Sequence, residues 1–182
     1  ATGYTGTVHF TSTDGSAVLP ADMTLTNGVG SFSETFDTAG HQTITATDTV
    51  SAAITGTSNA ETVAGGAATH LVVSIAANGA AGTPGTVTVT ALDAFGNVAN
   101  GYSGTVHFTS TDGHAVLPAN MTLTNGVGSF SETFETVGNQ TITATDTLSA
   151  GITGTSNTEA VIAGAATHFV VTLPAGGTAG VA

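Results

Sequence analysis

The sequence predicts an all-β protein that consists of tandem β-sandwich repeats. Three observations support this fold class. The chain matches itself at a fixed offset, apolar and polar residues alternate with the period of two that strands require, and turn-forming residues separate the alternating segments. No segment of useful length has the period of about 3.6 residues that marks an amphipathic helix.

The repeat is long and nearly exact. Tyr4 corresponds to Tyr102 and Asp48 to Asp146, each 98 positions apart, and residues 1–84 match residues 99–182 without a gap and with 21 differences. Such similarity indicates duplication within an array. A period near 100 residues fits an immunoglobulin-type sandwich, whereas solenoid repeats run roughly 20 to 50 residues. We therefore expect tandem immunoglobulin-like β-sandwich repeats of 98 residues, each with its own core.

Seven strands are predicted in the full period by alternation, each ended by Gly, Asn, Asp or Pro. They cover residues 71–76, 86–92, 105–110, 121–124, 127–135, 141–145 and 152–162.

Two local patterns make this prediction concrete. In MTLTNGVGSF, Asn125 and Gly126 supply the two positive-φ positions of a type I′ turn, which predicts a hairpin between the flanking strands. In TVHFTS, alternation places Val106 and Phe108 on one face and His107 on the other, the pattern of an antiparallel sheet that is buried on one side.

Several motifs in register resemble a known family. The run VTVTALDAFGNVANGYSGTVHFTSTDGHAVLP, then TFETVGNQTITATDT and ATHFVV, resembles the tandem immunoglobulin-like repeats of very large bacterial surface and secreted proteins. It is distantly similar to the immunoglobulin-like repeats of invasin and intimin stalks. The resemblance covers essentially the whole chain. It implies an immunoglobulin-like fold and a cell-surface or secreted spacer, with adhesion usually carried by other domains.

In that family a repeat usually begins near an ATH motif, which recurs here at 68–70 and 166–168. Residues 1–66 are then a partial immunoglobulin-like repeat that lacks its first two strands. Residues 67–164 form one complete repeat, and residues 165–182 supply the first strand of a further one.

A sandwich without two of its strands exposes an apolar face and unpaired edges, so something is expected to cover it. Two explanations stay open. Either the chain continues beyond 182 residues, or the tail of one molecule pairs with the open N-terminal half of the next and forms a head-to-tail filament by strand addition. The tail residues that would assemble in this way are Phe169, Val170, Val171 and Leu173.

Composition narrows the function classes. The chain has no Lys or Arg and twelve acidic residues, a formal charge of -12. Binding to nucleic acid or to anionic lipid depends on cations, so both are disfavoured as partners, and we expect no nucleic-acid binding. No apolar run approaches the roughly eighteen residues of a membrane helix, so no membrane insertion is expected in this segment.

Carboxylates recur at predicted strand ends, where calcium between successive domains is one interpretation and local turn hydrogen bonding is the other. No loop of the D-x-D-x-D-G type is present. We expect no other cofactor. The candidate calcium ligands are Asp14, Asp48, Asp93, Asp112 and Asp146.

Glu132, with its counterpart Glu34, is the least expected residue in a strand. The phase of SFSETF that buries Phe130 and Phe134 also points Glu132 inward, and the chain has no Lys or Arg to pair with it. Either a bulge or edge position lets this carboxylate reach water, or the carboxylate has a raised pKa or contacts a neighbouring domain during assembly.

No motif for catalysis is present, neither a G-x-S-x-G nucleophile elbow nor an H-E-x-x-H metal site, so we expect no enzyme activity. The sequence predicts a structural extracellular or cell-surface repeat protein that forms a stalk or filament. Its expected partners are neighbouring repeats or copies of itself. The alternative is an adhesin module that binds a ligand, not identifiable from the sequence, through the loops at one end of the sandwich.

Overall fold

The computed structural model describes residues 1–173 and 175–176, and these residues form sixteen strands and no helix. Residues 1–66, called the first unit, contain β1 (Thr7–Ser12), β2 (Met23–Thr24), β3 (Gly40–Gln42), β4 (Ile44–Asp48), β5 (Thr55–Thr57) and β6 (Glu61–Val63). Residues 67–164, called the complete repeat, contain β7 (His70–Ser74), β8 (Asn78–Ala80), β9 (Pro84–Leu92), β10 (Thr105–Ser110), β11 (Met121–Thr122), β12 (Val127–Thr133), β13 (Gly138–Gln140), β14 (Ile142–Asp146), β15 (Thr153–Thr155) and β16 (Glu159–Ile162).

The complete repeat is a two-layer sandwich. One sheet has the strand order β11-β10-β14-β15, and the other strands pair as β12-β9-β7 and β13-β16-β8. Alternation buries Val87 and Val89 of β9 and Val106 of β10, all fully inaccessible to solvent, in one core between the layers. The predicted all-β sandwich is confirmed.

Two details of the second layer differ from the predicted strands. The segment predicted as one strand over 152–162 is two strands in different sheets, because Asn157 leaves the ladder and hydrogen-bonds both main-chain groups of Ile75, at 3.0 Å each. The strand β8 was not predicted. It is three residues long and pairs in parallel with β16, so it has no alternating pattern of useful length.

The Asn-Gly turns form as predicted but lead to a different connection. Asn125 and Gly126 have φ of 51° and 77°, the signature of a type I′ turn. A single bridge joins Thr124 to Val127, and after it the chain passes to the other layer, since β11 pairs with β10 while β12 pairs with β9. The turn therefore connects the two sheets and does not close a hairpin within one sheet.

The first unit repeats one layer of this sandwich. Its sheet β2-β1-β4-β5 has the same register, with Val8 opposite Asp48 as Val106 is opposite Asp146. The opposite layer is reduced to the pair β3-β6. Among the described residues of the first unit, no strand corresponds to β7, β8, β9 or β12. That residues 1–66 are a partial repeat lacking its first two strands stays a prediction.

Candidate functional site

The junction between the two units is organised by the loop that follows β9. The carboxylate of Asp93, which is buried, accepts hydrogen bonds from the main-chain N–H groups of Phe95 and Asn97 at 2.9 Å. Its other oxygen accepts from the N–H of Gly66 at 2.8 Å and from the side-chain amide of Asn97 at 3.0 Å. The Asn97 amide lowers the pKa of Asp93 to about 2, and the main-chain donors support this against the effect of burial.

Asn97 extends the same network into the first unit. Its side-chain amide donates to the carbonyl of Asp37 at 2.8 Å, and its carbonyl accepts from the N–H of Ala39 at 2.9 Å. Gly65 lies so close to this loop that a Cβ at its position would overlap the carbonyl oxygen of Val98. The loop is thus held between two segments of the preceding unit, one on each side.

The residues that receive this loop differ in the second copy. Ala39 and Gly65 correspond to Val137 and Ala163, which are larger, and the Val137 side chain is 57% exposed. An identical junction at the far end of the complete repeat would therefore bring the Ala163 methyl group against main chain.

Asp112 and its counterpart Asp14 hold loops within each unit. One oxygen of Asp112 accepts from the N–H of His114 at 2.9 Å, and the other from the N–H groups of Glu135 and Thr136 at 2.7 and 2.9 Å. Burial raises the pKa of Asp112, but these hydrogen bonds outweigh it and lower the pKa to about 2. Asp14 makes the equivalent bonds and has a pKa of about 2 as well.

Asp146 and its counterpart Asp48 each accept a hydrogen bond from a tyrosine hydroxyl, Tyr102 and Tyr4 respectively. Asp146 also accepts from the N–H of Leu148 at 2.8 Å. Burial raises the pKa of Asp146, but the tyrosine and main-chain donors lower it overall. This pair closes the turn after β14 within a single unit.

The five aspartates considered as calcium ligands therefore lie in separate loops and bind main-chain donors. In the part of the chain that the structure describes, no three His, Cys, Asp or Glu residues stand close enough to hold a metal ion. The structure does not bring the five together, and calcium between domains stays a prediction.

Glu132 lies inside the sandwich together with Glu159, a residue that sequence reasoning did not select. Their side chains are 2% and 6% exposed, and the Oε2 atom of each is buried without a hydrogen-bond partner. No bulge interrupts β12, where Glu132 stands directly opposite Gly85. Burial raises the pKa of both carboxylates, and the negative charge of Glu159 raises the pKa of Glu132 further.

Glycine makes room for both carboxylates. A Cβ built at Gly85 would overlap Oε1 of Glu132, and one built at Gly79 would overlap Oε1 of Glu159. Gly85 of β9 thus leaves space for the carboxylate of Glu132 on the neighbouring strand β12. Gly79 of β8 does the same for Glu159 on the neighbouring strand β16. Any other residue at these two positions would displace a buried charge-bearing group.

In the first unit the corresponding residues, Glu34 and Glu61, are exposed. They line an open cavity of about 350 Å³, together with Phe36 and Ile44. Glu34 is therefore exposed, whereas its counterpart Glu132 is covered in the complete repeat, where it lies opposite Gly85 of β9. Its predicted role in assembly stays a prediction.

The tail residues predicted to assemble are exposed and form no strand. Phe169, Val170, Val171 and Leu173 are between 82% and 93% exposed. The corresponding core residues of the complete repeat, all buried, are Leu71, Val73 and Ile75. Within the described residues, 165–173 form no strand, and the expected first strand of a further repeat stays a prediction. The rest of that segment lies largely outside the described residues.

Sequence reasoning missed three kinds of site residue. Glu159 had a usable signal, because Glu61 repeats it in the other copy, as Glu34 repeats Glu132. Gly85 and Asn97 had none, since each occurs in only one copy and Asn97 binds main-chain groups that carry no side-chain pattern.

No helix in the described residues is long and apolar enough to cross a membrane.

No family model matches the chain, and no curated protein matches it. Among solved structures, the chain is similar to the D0-D1 domain of intimin, with 19% identity over 87% of this chain and 84% of that chain and a TM-score of 0.39. It is similar to the Escherichia coli adhesin FdeC, with 21% identity over 91% of this chain and 55% of that chain and a TM-score of 0.45. It is also similar to a glycosyl hydrolase family 2 member from Bacteroides cellulosilyticus, with 12% identity, 71% and 18% coverage and a TM-score of 0.48.

Proposed function

We propose that this chain is a structural, non-enzymatic segment of a bacterial cell-surface or extracellular protein, in which immunoglobulin-like sandwiches in series form a stalk or filament. The observation that carries the proposal is the hydrogen-bonded junction. Asp93 and Asn97 tie the start of one sandwich to two segments of the preceding unit. A junction of this kind transmits orientation from one unit to the next, which a stalk requires and a free linker does not provide.

The exterior supports the same role. Threonine hydroxyls pair across neighbouring strands, with Thr143 to Thr155 and Thr145 to Thr153 at 2.8 Å each. The surface is thereby polar without being densely charged, while main-chain hydrogen bonds between antiparallel strands resist shear together.

The junction is tested with the Asn97→Ala variant. The chain has no cysteine, so Thr11→Cys and Thr109→Cys place one spin label on β1 and one on β10, at equivalent exposed positions. We expect a narrow distance distribution between the labels in the parent chain and a clearly broader one after Asn97→Ala, because the amide bonds to the first unit are lost. Asn139→Ala, at an exposed asparagine outside the junction, is the matched control. A parent distribution as broad as that of the variant would contradict the proposal.

A more specific version of the proposal is a filament. In it, the tail of one molecule, which contains Phe169 to Leu173, adds a strand to the first unit of the next molecule. Its support is that both surfaces are exposed, and that the corresponding apolar residues of β7 are buried in the complete repeat. Head-to-tail addition of this kind propagates and does not close on itself.

Two tail variants test this form. Val171 corresponds to Val73, which is 5% exposed, and Val170 to Val72, which is 46% exposed. We expect Val171→Asp to weaken concentration-dependent association, measured by light scattering after gel filtration, by about ten-fold or more, because a carboxylate would enter a core. Val170→Asp should have little effect. Association that is absent in the parent chain, or equally sensitive to both variants, would contradict the filament.

A second candidate function, ligand binding through loops at one end of the sandwich, is favoured by one observation. The turn after β4 and the turn after β14 each present an apolar side chain at the tip, Val50 at 94% and Leu148 at 97% exposure. Val50→Ser and Leu148→Ser together should abolish attachment of the chain to a host surface if these tips bind a ligand. Unchanged attachment would contradict this candidate.

A further inference from the structure

The chain contains four Asn-Gly pairs, and one of them differs from the others in its main-chain hydrogen bonding. All four asparagines are exposed: Asn27, Asn78, Asn100 and Asn125. In an Asn-Gly pair the main-chain nitrogen of the glycine can attack the side-chain amide of the asparagine, because glycine has no side chain to hinder the approach. Whether a pair reacts therefore depends on how its glycine N–H group is held.

Three of the pairs are held by main-chain pairing of their glycine. Gly28 and Gly126 donate their N–H groups to the carbonyls of Tyr4 and Tyr102 respectively, at 2.8 Å in both cases. Gly79 lies in the middle of β8, which pairs with β16. A nitrogen held in this way has to give up its hydrogen bond before it can turn toward the asparagine side chain.

The pair at Asn100 lies in an open turn. A hydrogen bond from the N–H of Tyr102 to the carbonyl of Ala99, at 2.9 Å, closes this turn, and among the described residues no group accepts a hydrogen bond from the N–H of Gly101. Gly101 is itself exposed, and a Cβ built at its position would have no neighbour within 4 Å. The attacking nitrogen and the space for ring closure are therefore both available.

We propose that Asn100 and Gly101 form a site of spontaneous covalent modification, at which the asparagine deamidates through a cyclic imide while the folded chain protects the other three Asn-Gly pairs. The Gly101 nitrogen bonds to the side-chain carbonyl carbon of Asn100, and the Nδ2 group leaves as ammonia with the proton that Gly101 gives up. Water then opens the imide ring at either carbonyl and yields aspartate or isoaspartate. The net reaction consumes water and releases ammonia, without an enzyme, a metal or an oxidant.

The modified turn belongs to the loop that forms the junction. Asn97, whose side chain binds the first unit, precedes this turn in the same loop, and Gly101 borders an open cleft of about 480 Å³ together with Gly65 and Gly66. Isoaspartate routes the main chain through the side-chain carbon and lengthens the turn, and either product adds a negative charge to a chain of charge -12. We therefore expect the junction to loosen as the protein ages. This consequence rests on the proposed function, whereas the modification itself does not.

The test is incubation of the 182-residue chain in neutral buffer, followed by peptic digestion in acid and tandem mass spectrometry of each asparagine. Pepsin is used because the chain has no Lys or Arg for trypsin to cleave. We expect Asn100 to convert to aspartate and isoaspartate at least about ten-fold faster than Asn125, a ratio that corresponds to about 1.4 kcal/mol. In denaturant, where Gly126 loses its hydrogen bond, the two rates should agree within about three-fold.

The first unit supplies the matched variant. The residue that corresponds to Asn100 is Thr2, and the same turn forms there, with the N–H of Tyr4 donating to the carbonyl of Ala1 at 3.0 Å. Asn100→Thr should therefore keep the turn and abolish the modification at this position.

Spin labels at Thr11→Cys and Thr109→Cys report the consequence for the junction. We expect a broader distance distribution in aged than in fresh parent chain, and no change on ageing in the Asn100→Thr variant.

Each outcome decides one statement. Equal rates at Asn100 and Asn125 in the folded chain, or a ratio that denaturant leaves unchanged, overturns the modification site. Distributions that are the same in fresh and aged parent chain, or that broaden equally in aged Asn100→Thr, overturn the effect on the junction. A broad distribution already present in fresh parent chain contradicts the proposed function and leaves the modification site in place.

Discussion

The two units share almost the same sequence and differ in what covers it. In the complete repeat a core of fourteen buried apolar residues lies between two layers, whereas the first unit has a cluster of three, Val8, Phe10 and Ile44. The sheet built on β1 and β4 nevertheless has the register of the sheet built on β10 and β14. One layer therefore forms from its own residues, while the opposite layer depends on strands supplied from elsewhere in the chain.

The two units differ most at Phe134 and Phe36, which end the sequence VGSFSETF at residues 127–134 and 29–36. Phe134 is 2% exposed, and its counterpart is only half-buried. We expect Phe134→Ala to lower the free energy of unfolding of the complete repeat by about 3–5 kcal/mol, the cost of removing a buried aromatic ring from a packed core. Phe36→Ala should cost about 1 kcal/mol, since less apolar area is lost.

Chemical denaturation followed by amide signals of each unit separates the two effects. Equal costs for the two phenylalanine variants would show that the first unit is covered in solution as fully as the complete repeat.

A second matched pair uses glycine. A Cβ at Gly154 of β15 would overlap the main-chain carbonyl of Leu71, while a Cβ at the corresponding Gly56 has no neighbour within 4 Å. Gly154→Ala should destabilise the complete repeat by about 1–3 kcal/mol through overpacking against β7. Gly56→Ala should be neutral or stabilise the first unit by up to about 1 kcal/mol, because it reduces the entropy of the unfolded chain.

Thermal unfolding of the two alanine variants checks this pair. Loss of stability in Gly56→Ala comparable to that in Gly154→Ala would mean that a strand already packs on β5.

The smallest expected effect is the dependence of stability on pH. Burial raises the pKa of Glu132 above its usual 4.5, so its contribution is fully present below about pH 4.5 and is lost as the pH rises through the pKa of the folded state. The pKa of Asp112 is lowered from 3.8 to about 2, so its contribution is present above about pH 3.8 and is lost toward pH 2. The complete repeat should therefore be most stable near pH 4 to 5.

Glu132→Gln should flatten the decline in stability that begins above about pH 4.5, because the neutral amide does not ionise. Glu34→Gln, at the exposed counterpart, is the control and should leave the profile of the parent chain unchanged. Denaturant titrations at several pH values measure both, and identical profiles for parent and Glu132→Gln would contradict a buried ionisation.

The sequence was sufficient for the layer that local alternation defines. Val106 and Phe108 are buried as the period of two predicts, and Asn125 with Gly126 forms the type I′ turn. The sequence was insufficient where a side-chain hydrogen bond takes the place of a main-chain hydrogen bond between strands. The side-chain amide of Asn157 binds the main chain of Ile75, 82 residues away, and no local pattern marks that contact.

The candidate site was predictable only in part. The inward phase of Glu132 follows from alternation, but its burial beside Glu159 depends on the pairing of β8 with β16, a parallel contact between segments about eighty residues apart. The junction was not predictable, since Asn97 recognises carbonyl and amide groups that every residue possesses.

The small residues at the junction have a geometric consequence. Gly65 and Ala39 admit the loop that carries Asn97, while Ala163 and Val137 hold the same places one period later with added methyl groups. A further sandwich docked against residues 137 and 163 would meet these methyl groups, so it would have to sit at a different angle from the one that Gly65 and Ala39 allow.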